Sequence, residues 1–230
     1  MKFWKNDDEL FAAAKEELFT AVVGDAMDKM ELLHQFLPQK IQPLSNDMFI
    51  IGRAMTVLEA DTFEELSNGS KNPLMSKPFG LMLEALDDLR KNEVYICSGS
   101  SPSYALVGEL MMTRAKVLGA AGAVVNGFSR DTNGILDLNL PVFSYGRYAQ
   151  DQAPRGKVID FRVPIEMDGV RINPGDIIVG DLDGVCVVPL EHEEEVFIRA
   201  FEKARGEKNV LKAIQNGMSV VEAWDKFGIM

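Results

Sequence analysis

The chain has 230 residues, 47% of them apolar, with 24 Lys and Arg against 35 Asp and Glu for a formal charge of −11. It is too apolar to be disordered, and no basic cluster offsets the net acid, so no nucleic-acid partner is expected. No apolar run reaches the roughly 18 residues of a membrane span, and MKFWKNDDEL turns acidic too early for a secretion signal. A cytoplasmic protein without membrane contact is expected.

DDELFAAAKEELF has apolar residues at helical spacing and acids in its first turn, and TAVVGDAMDKMELL continues as a second helix. Together they give an N-terminal helical segment of about 7–35. Phe49 to Ala60, FIIGRAMTVLEA, predicts a strand with Gly52 as a bulge; residues 62–80 predict an irregular loop. GLMLEALDDLRK reads as a helix leading into the strand EVYIC. The loop SGSSPS, a helix over YALVGELMMTRAKVLG and the strand AGAVVNG then form a βαβ crossover, which favours parallel strands. Beyond Arg130-Asp131 a short helix runs to Leu138, before the strand PVFSYG. Asp168-Gly169 and Asp183-Gly184 interrupt β-rich runs and predict hairpin turns in an antiparallel meander. A charged helix over 191–215 and a short one around VVEAWDKF make up C-terminal helices at about 191–227. The expectation is one α/β domain over 1–230.

Cys97 and Cys186 lie in apolar runs and read as buried thiols; His34 and His192 lack ligand spacing. A metal would rely on oxygen ligands, which favours Mg²⁺ or Mn²⁺. In α/β units ligands collect at the carboxyl ends of strands. Two such ends carry Gly108-Glu109-Leu110 and Arg130-Asp131, so Glu109 and Asp131 are expected to face one cleft. There the N–H groups of Leu110 and Met111 would hold a carboxylate beside Gly108, Arg130 a carbonyl or carboxylate oxygen, and Asp131 a divalent cation. Taken alone, an Arg-Asp pair after a strand is more often a solvated loop or a structural ion pair, and Arg130-Asp131 allows that reading too. SGSSPS lacks a P-loop lysine and a nucleophile elbow, GDLDGV reads as a turn, EHEEEV as a solvated helix start, and Tyr145 and Trp224 as packing residues.

GELMMTRAKVLGAAGAVVNGFSRD, then LPVFSYG and PGDIIVGDLDGVCVVP, resemble the family of the regulator of ribonuclease activity A. That family includes the 4-hydroxy-4-methyl-2-oxoglutarate/4-carboxy-4-hydroxy-2-oxoadipate aldolases. The likeness covers residues 18–228, and its most specific part is an acid, Glu109, followed after residues 110–129 by Arg130-Asp131. It implies a swivelling β/β/α-type α/β fold, a homotrimer or homohexamer with sites between subunits, and metal-dependent cleavage of a 2-oxo acid to pyruvate, with oxaloacetate decarboxylation. By the same resemblance Asp131 holds Mg²⁺ (or Mn²⁺) largely through water, Arg130 contacts the pyruvyl oxygens, and Leu110 and Met111 bind the carboxylate. Glu109 orients water on the metal, and Glu207 is the glutamate lent by a second subunit. Two positions depart from the pattern: Glu109 stands where the aldolases carry Asp, and Asn126-Gly127 where Asp-Gly is usual. The rival implication is a non-catalytic regulator that binds ribonuclease E.

Overall fold

The computed structural model describes residues 2–63 and 70–229. Two helices, α1 (Asp7–Glu17) and α2 (Thr20–Asp28), come first; the Asn6 side chain caps α1 by accepting from the Glu9 N–H at 3.0 Å. Then follow β1 (Gln42–Pro43), β2 (Ile50–Asp61), α3 (Met82–Asp87), β3 (Glu93–Ser98), β4 (Ala105–Val107) and α4 (Glu109–Val117). Next come β5 (Gly122–Val125), β6 (Phe128–Ser129), α5 (Thr132–Asp137), β7 (Val142–Ser144) and β8 (Gly156–Phe161). The hairpins β9 (Ile165–Met167)–β10 (Val170–Ile172) and β11 (Ile177–Asp181)–β12 (Gly184–Val188) precede α6 (Glu193–Gln215) and α7 (Val220–Phe227).

The long strand β2 organises the main sheet, in the order β1-β7-β5-β3-β2-β11-β12, with β8 also paired to β2. β2, β3, β5 and β7 run parallel, as the crossover rhythm predicts, while β8 and β11 pair with β2 antiparallel. Residues 35–44 draw the two edges together: Phe36 bridges Cys186 on β12, and Gln42–Pro43 pairs with β7. Strand alternation then sorts side chains into layers. Ile50, Ala54, Val94, Ile96, Val124 and Phe143 point into the curled sheet, where the β9–β10 hairpin adds Ile165, Met167, Val170 and Ile172. The opposite phase packs under helices, with Met55, Val57, Tyr95 and Cys97 against α3 and α4. Ile51, Ile177, Val179, Cys186 and Val188 lie against α1, α2 and α6. Burial on both faces explains why these strands read as continuous apolar runs.

Several local expectations are corrected. The helix expected from Tyr104 begins only at Glu109, because buried Ala105–Val107 forms β4; a short apolar run satisfies both periodicities, and Gly108 separates the two elements. The second helix ends at Asp28. The irregularity in β2 falls between Leu58 and Glu59, where β8 pairs, whereas Gly52 pairs regularly with Ile178. Asp168-Gly169 is the predicted turn, with φ of 48° and 91° suited to a two-residue hairpin. In the other hairpin Asp181 opposes Gly184, so Leu182-Asp183 forms the turn. The two hairpins belong to different sheets and make no single meander. Trp224 is 54% exposed on α7, so it is not a packing residue. In the loop expected at 62–80, Pro73–Ser76 forms one 3₁₀ turn, and part of that loop lies outside the described residues.

Candidate active site

A two-stranded parallel sheet, β4 with β6, brings the two predicted strand ends together. The Arg130 N–H donates to the Val107 carbonyl at 3.0 Å, so Gly108 and Arg130 leave this small sheet side by side. Buried Ser129 anchors the turn before Arg130, its hydroxyl 3.2 Å from that of Ser144. The position of the guanidinium therefore derives from backbone pairing on a packed frame.

Gly108 is the N-cap of α4 and makes no side-chain cap. The first intrahelical bond is Met112 N–H to the Gly108 carbonyl at 3.1 Å, which leaves the N–H groups of Glu109, Leu110 and Met111 without helical acceptors. These donors, with the positive end of the helix dipole, form an anion-receptive terminus. Asp131 sits beside it in the left-handed region, at φ 55° and ψ 40°, a conformation Asp tolerates better than most residues. It is the N-cap of α5, yet its carboxylate does not cap that helix. The group faces Gly108 instead: a Cβ at 108 would stand 2.7 Å from its Oδ2. Glycine at 108 is what lets the carboxylate and the helix terminus approach.

Arg130 makes two long contacts, to Asp151 Oδ1 at 3.3 Å and to Asp131 Oδ2 at 3.6 Å. A guanidinium has five N–H donors, so both contacts together leave the fork far from saturated. It opens on a cleft of about 450 Å³ that Gly108, Leu110, Met111, Arg130 and Asp131 all line. Glu109 is exposed and lies to one side, its carboxyl against the first turn of α5, where a Cβ at Gly134 would meet Glu109 Cδ at 2.2 Å. The structure thus unites the predicted Gly108, Leu110, Met111, Arg130 and Asp131, but Glu109, expected to face the same cleft as Asp131, does not line it, because its side chain turns onto Gly134. Glu207 is elsewhere on the chain, on α6, its carboxylate 2.8 Å from Lys203.

Sequence reasoning missed Asp151, which steadies Arg130, and Gln152, which lines the cleft 3% exposed with its Nε2 unpartnered. It also missed the apolar part of the lining, Phe79, Met82, Leu83 and Leu86, from α3 and the segment leading into it. Asp87 and Arg114, an ion pair at 2.8 Å, also line the cleft.

Among the described residues no group of three or more His, Cys, Asp or Glu is arranged to hold a metal. A closed protein cage is therefore absent there, but Mg²⁺ does not require one; it takes one or two carboxylates and keeps waters. The Asp131 carboxylate caps no helix and holds Arg130 only through Oδ2 at 3.6 Å, so it fits as one carboxylate ligand of that kind of site.

The fold and this terminus define an α/β protein with an anion-receptive cleft at the carboxyl ends of parallel strands. The RraA-like family model, described as Aldolase/RraA, matches residues 20–187, and the chain belongs to that family. A protein of Halalkalibacterium halodurans named "Putative 4-hydroxy-4-methyl-2-oxoglutarate aldolase" is 30% identical over 206 residues, 89% of each chain. A solved structure described among novel cellulases from gut-associated microbes is 32% identical with TM-score 0.78, covering 91% of this chain and 90% of that one. Streptomyces coelicolor RraAS2, of the RNase ES inhibitor RraA family, shares the fold at 21% identity and TM-score 0.74, over 90% of this chain and 98% of its own. Among the described residues no helix is long and apolar enough to cross a membrane.

Proposed function

We propose that the chain is a divalent-metal-dependent, class II-type lyase that releases pyruvate from 4-hydroxy-2-oxo acids of the 4-hydroxy-4-methyl-2-oxoglutarate kind and decarboxylates oxaloacetate. The observation that carries this reading is the convergence of an unsaturated Arg130 fork, an uncapped α4 terminus and the Asp131 carboxylate at one end of a cleft of small-molecule size. In retro-aldol cleavage the C4 hydroxyl gives up its proton and becomes a carbonyl as the C3–C4 bond breaks, and the electron pair of that bond passes to the C2 carbonyl oxygen. Loss of CO₂ from oxaloacetate does the same, and protonation at C3 gives pyruvate in both cases. The Leu110 and Met111 N–H groups bind the substrate carboxylate, and Arg130 donates to the oxygen where negative charge grows. Glu109 takes and returns the proton through water. Mg²⁺ or Mn²⁺ at Asp131 supplies Lewis-acid stabilisation of the same oxyanion. A neighbouring copy in a trimer or hexamer lends Glu207.

The test is pyruvate release from a panel of 2-oxo acids with Mg²⁺. Turnover of oxaloacetate and of a 4-hydroxy-2-oxo acid is expected, falling to the protein-free blank with EDTA and restored by excess Mg²⁺. Non-catalytic binding to ribonuclease E is the rival reading, and a charge of −11 suits a basic partner segment. A wild-type chain that releases no pyruvate above the blank but is retained on immobilised ribonuclease E would replace the lyase reading with it. Cellulose is a poor match, since a cleft of about 450 Å³ accommodates a small molecule and not a polymer strand.

Glu109 has its own probe in Gly134→Ala. Alanine in a helix is favoured over glycine by about 1 kcal/mol, but the new Cβ would overlap the Glu109 carboxyl. That carboxyl ends an exposed, flexible side chain, so it swings aside. The melting temperature is expected to hold or rise while kcat falls about tenfold; an unchanged kcat would remove Glu109 from the proton path.

A further inference from the structure

We infer that Asp151 is a positioning residue, which holds the Arg130 fork in its working orientation while weakening ground-state affinity for an anion. This deepens the lyase reading and rests on it.

Strand β4 lies between two chain segments and fixes one group on each side. On one side it pairs with β6, and the Arg130 N–H donates to the Val107 carbonyl at 3.0 Å. On the other, Ala105 bridges Asp151 in parallel, and the Ala105 N–H donates to the Gln150 carbonyl at 2.8 Å. The Asp151 carbonyl accepts from Arg155 Nη1 at 3.0 Å, and the Gln152 carbonyl from the Gly156 N–H at 2.9 Å. One strand therefore sets the backbones that carry the guanidinium and the carboxylate. Asp151 Oδ1 stands 3.3 Å from Arg130 Nη1, and among the described residues that carboxylate makes no other hydrogen bond or ion pair.

Folding gives little reason for this carboxylate. With side chains 37% and 40% exposed, the pair adds little to stability. Asp151 also lines the cleft alongside Asp131, so its charge repels the anion that the α4 terminus receives. What it supplies is restraint. An arginine head on its flexible stem must be held to keep one orientation, and the other ion-pair partner of Arg130 is Asp131, at 3.6 Å through Nε. A divalent cation on Asp131 competes for that carboxylate, whereas the Asp151 contact does not depend on it. Arg130 acts on the oxygen that gains charge as the bond breaks, so its orientation matters more to the transition state than to binding. Asp151 thus speeds the chemical step and weakens binding, an opposition that a merely structural ion pair does not produce.

The test is pyruvate release from oxaloacetate with Mg²⁺, above the protein-free rate, by wild type, Asp151→Asn, Arg130→Ala and the double variant. Asparagine keeps the size of the side chain and removes its charge. In Asp151→Asn kcat is expected to fall about tenfold, with KM unchanged or lower and the melting temperature unchanged. Calorimetric affinity for pyruvate with Mg²⁺ is expected to hold or rise. Added to Arg130→Ala, the same substitution is expected to change kcat by less than about twofold, because the group it positions is gone. An unchanged kcat, a raised KM, or the full loss repeated in the Arg130→Ala background would overturn this inference and leave the lyase reading standing. A wild type that releases no pyruvate would overturn both.

Discussion

Arg130→Ala is expected to lower kcat/KM for pyruvate release by 10²- to 10³-fold while leaving the unfolding midpoint almost unchanged. The two halves of that expectation come from different contacts. For stability, the Arg130 side chain is 37% exposed and its partners Asp151 and Asp131 are 40% and 46% exposed. Ion pairs in that setting contribute about 0–1 kcal/mol each, and the frame around Arg130 is held by backbone and serine hydrogen bonds that alanine preserves. For catalysis, the guanidinium is a fixed donor to an oxygen that gains charge only as the C3–C4 bond breaks. Removing one such donor costs about 2.7–4 kcal/mol of transition-state stabilisation. Arg130→Lys separates charge from geometry. A lysine keeps the positive charge but loses the planar fork, so a partial recovery is expected. Measured side by side, the Ala variant at full rate would reduce Arg130-Asp131 to the structural ion pair that the sequence alone also allowed.

The parts of this site that were legible in the sequence lie at junctions between elements. Arg130-Asp131 marks the place where an apolar run gives way to polar residues, and such places fall at the carboxyl ends of strands in any α/β unit; Gly108-Glu109 was brought there only through the loop after β3, inside a helix expected to start earlier. Their mutual approach followed from expecting β3 and β5 to be parallel neighbours, as they are. Asp151 and Gln152 were not legible. They lie in irregular chain between β7 and β8, positioned by long-range bonds such as Ala105 N–H to the Gln150 carbonyl at 2.8 Å, and no local pattern encodes that. The β4 segment failed for a different reason, since three buried apolar residues carry no period. The second hairpin shifted by one residue because the Asp181 carboxylate accepts from the Asp183 N–H at 2.9 Å and from the Thr20 N–H at 2.7 Å. This side-chain anchor fixes Leu182-Asp183 as the turn, and Gly184 becomes the first residue of β12. Local turn chemistry was read correctly in kind and wrongly in register.

Glu59→Gln is expected to stabilise the protein at pH 8 by about 2–4 kcal/mol and to change little at pH 5. Glu59 continues the phase of Met55 and Val57 along β2, so the strand drives its carboxyl into the apolar layer beneath α3 and α4, at 1% exposure. Its satisfaction there is incomplete: the Cys97 thiol donates to Oε2 at 3.5 Å, and Oε1 has no partner. Burial therefore raises its pKa from an ordinary 4.5 to about 8, opposed by the Cys97 hydrogen bond and reinforced by the negative charge of Asp61. Between those two values the folded chain keeps a proton that the unfolded chain releases. The protonated state's contribution is thus complete below pH 4.5 and is lost as pH rises to 8, at no more than about 1.4 kcal/mol per pH unit. Glutamine has the same shape and no charge to desolvate, so this slope vanishes in the variant. Denaturant unfolding of both proteins from pH 5 to 9 isolates the effect as the difference between two curves, which should meet at the acid end and diverge toward alkali. Parallel curves across that range would mean that water or a rearranged partner reaches the Glu59 carboxylate and lets it ionise in the folded state at its ordinary pH.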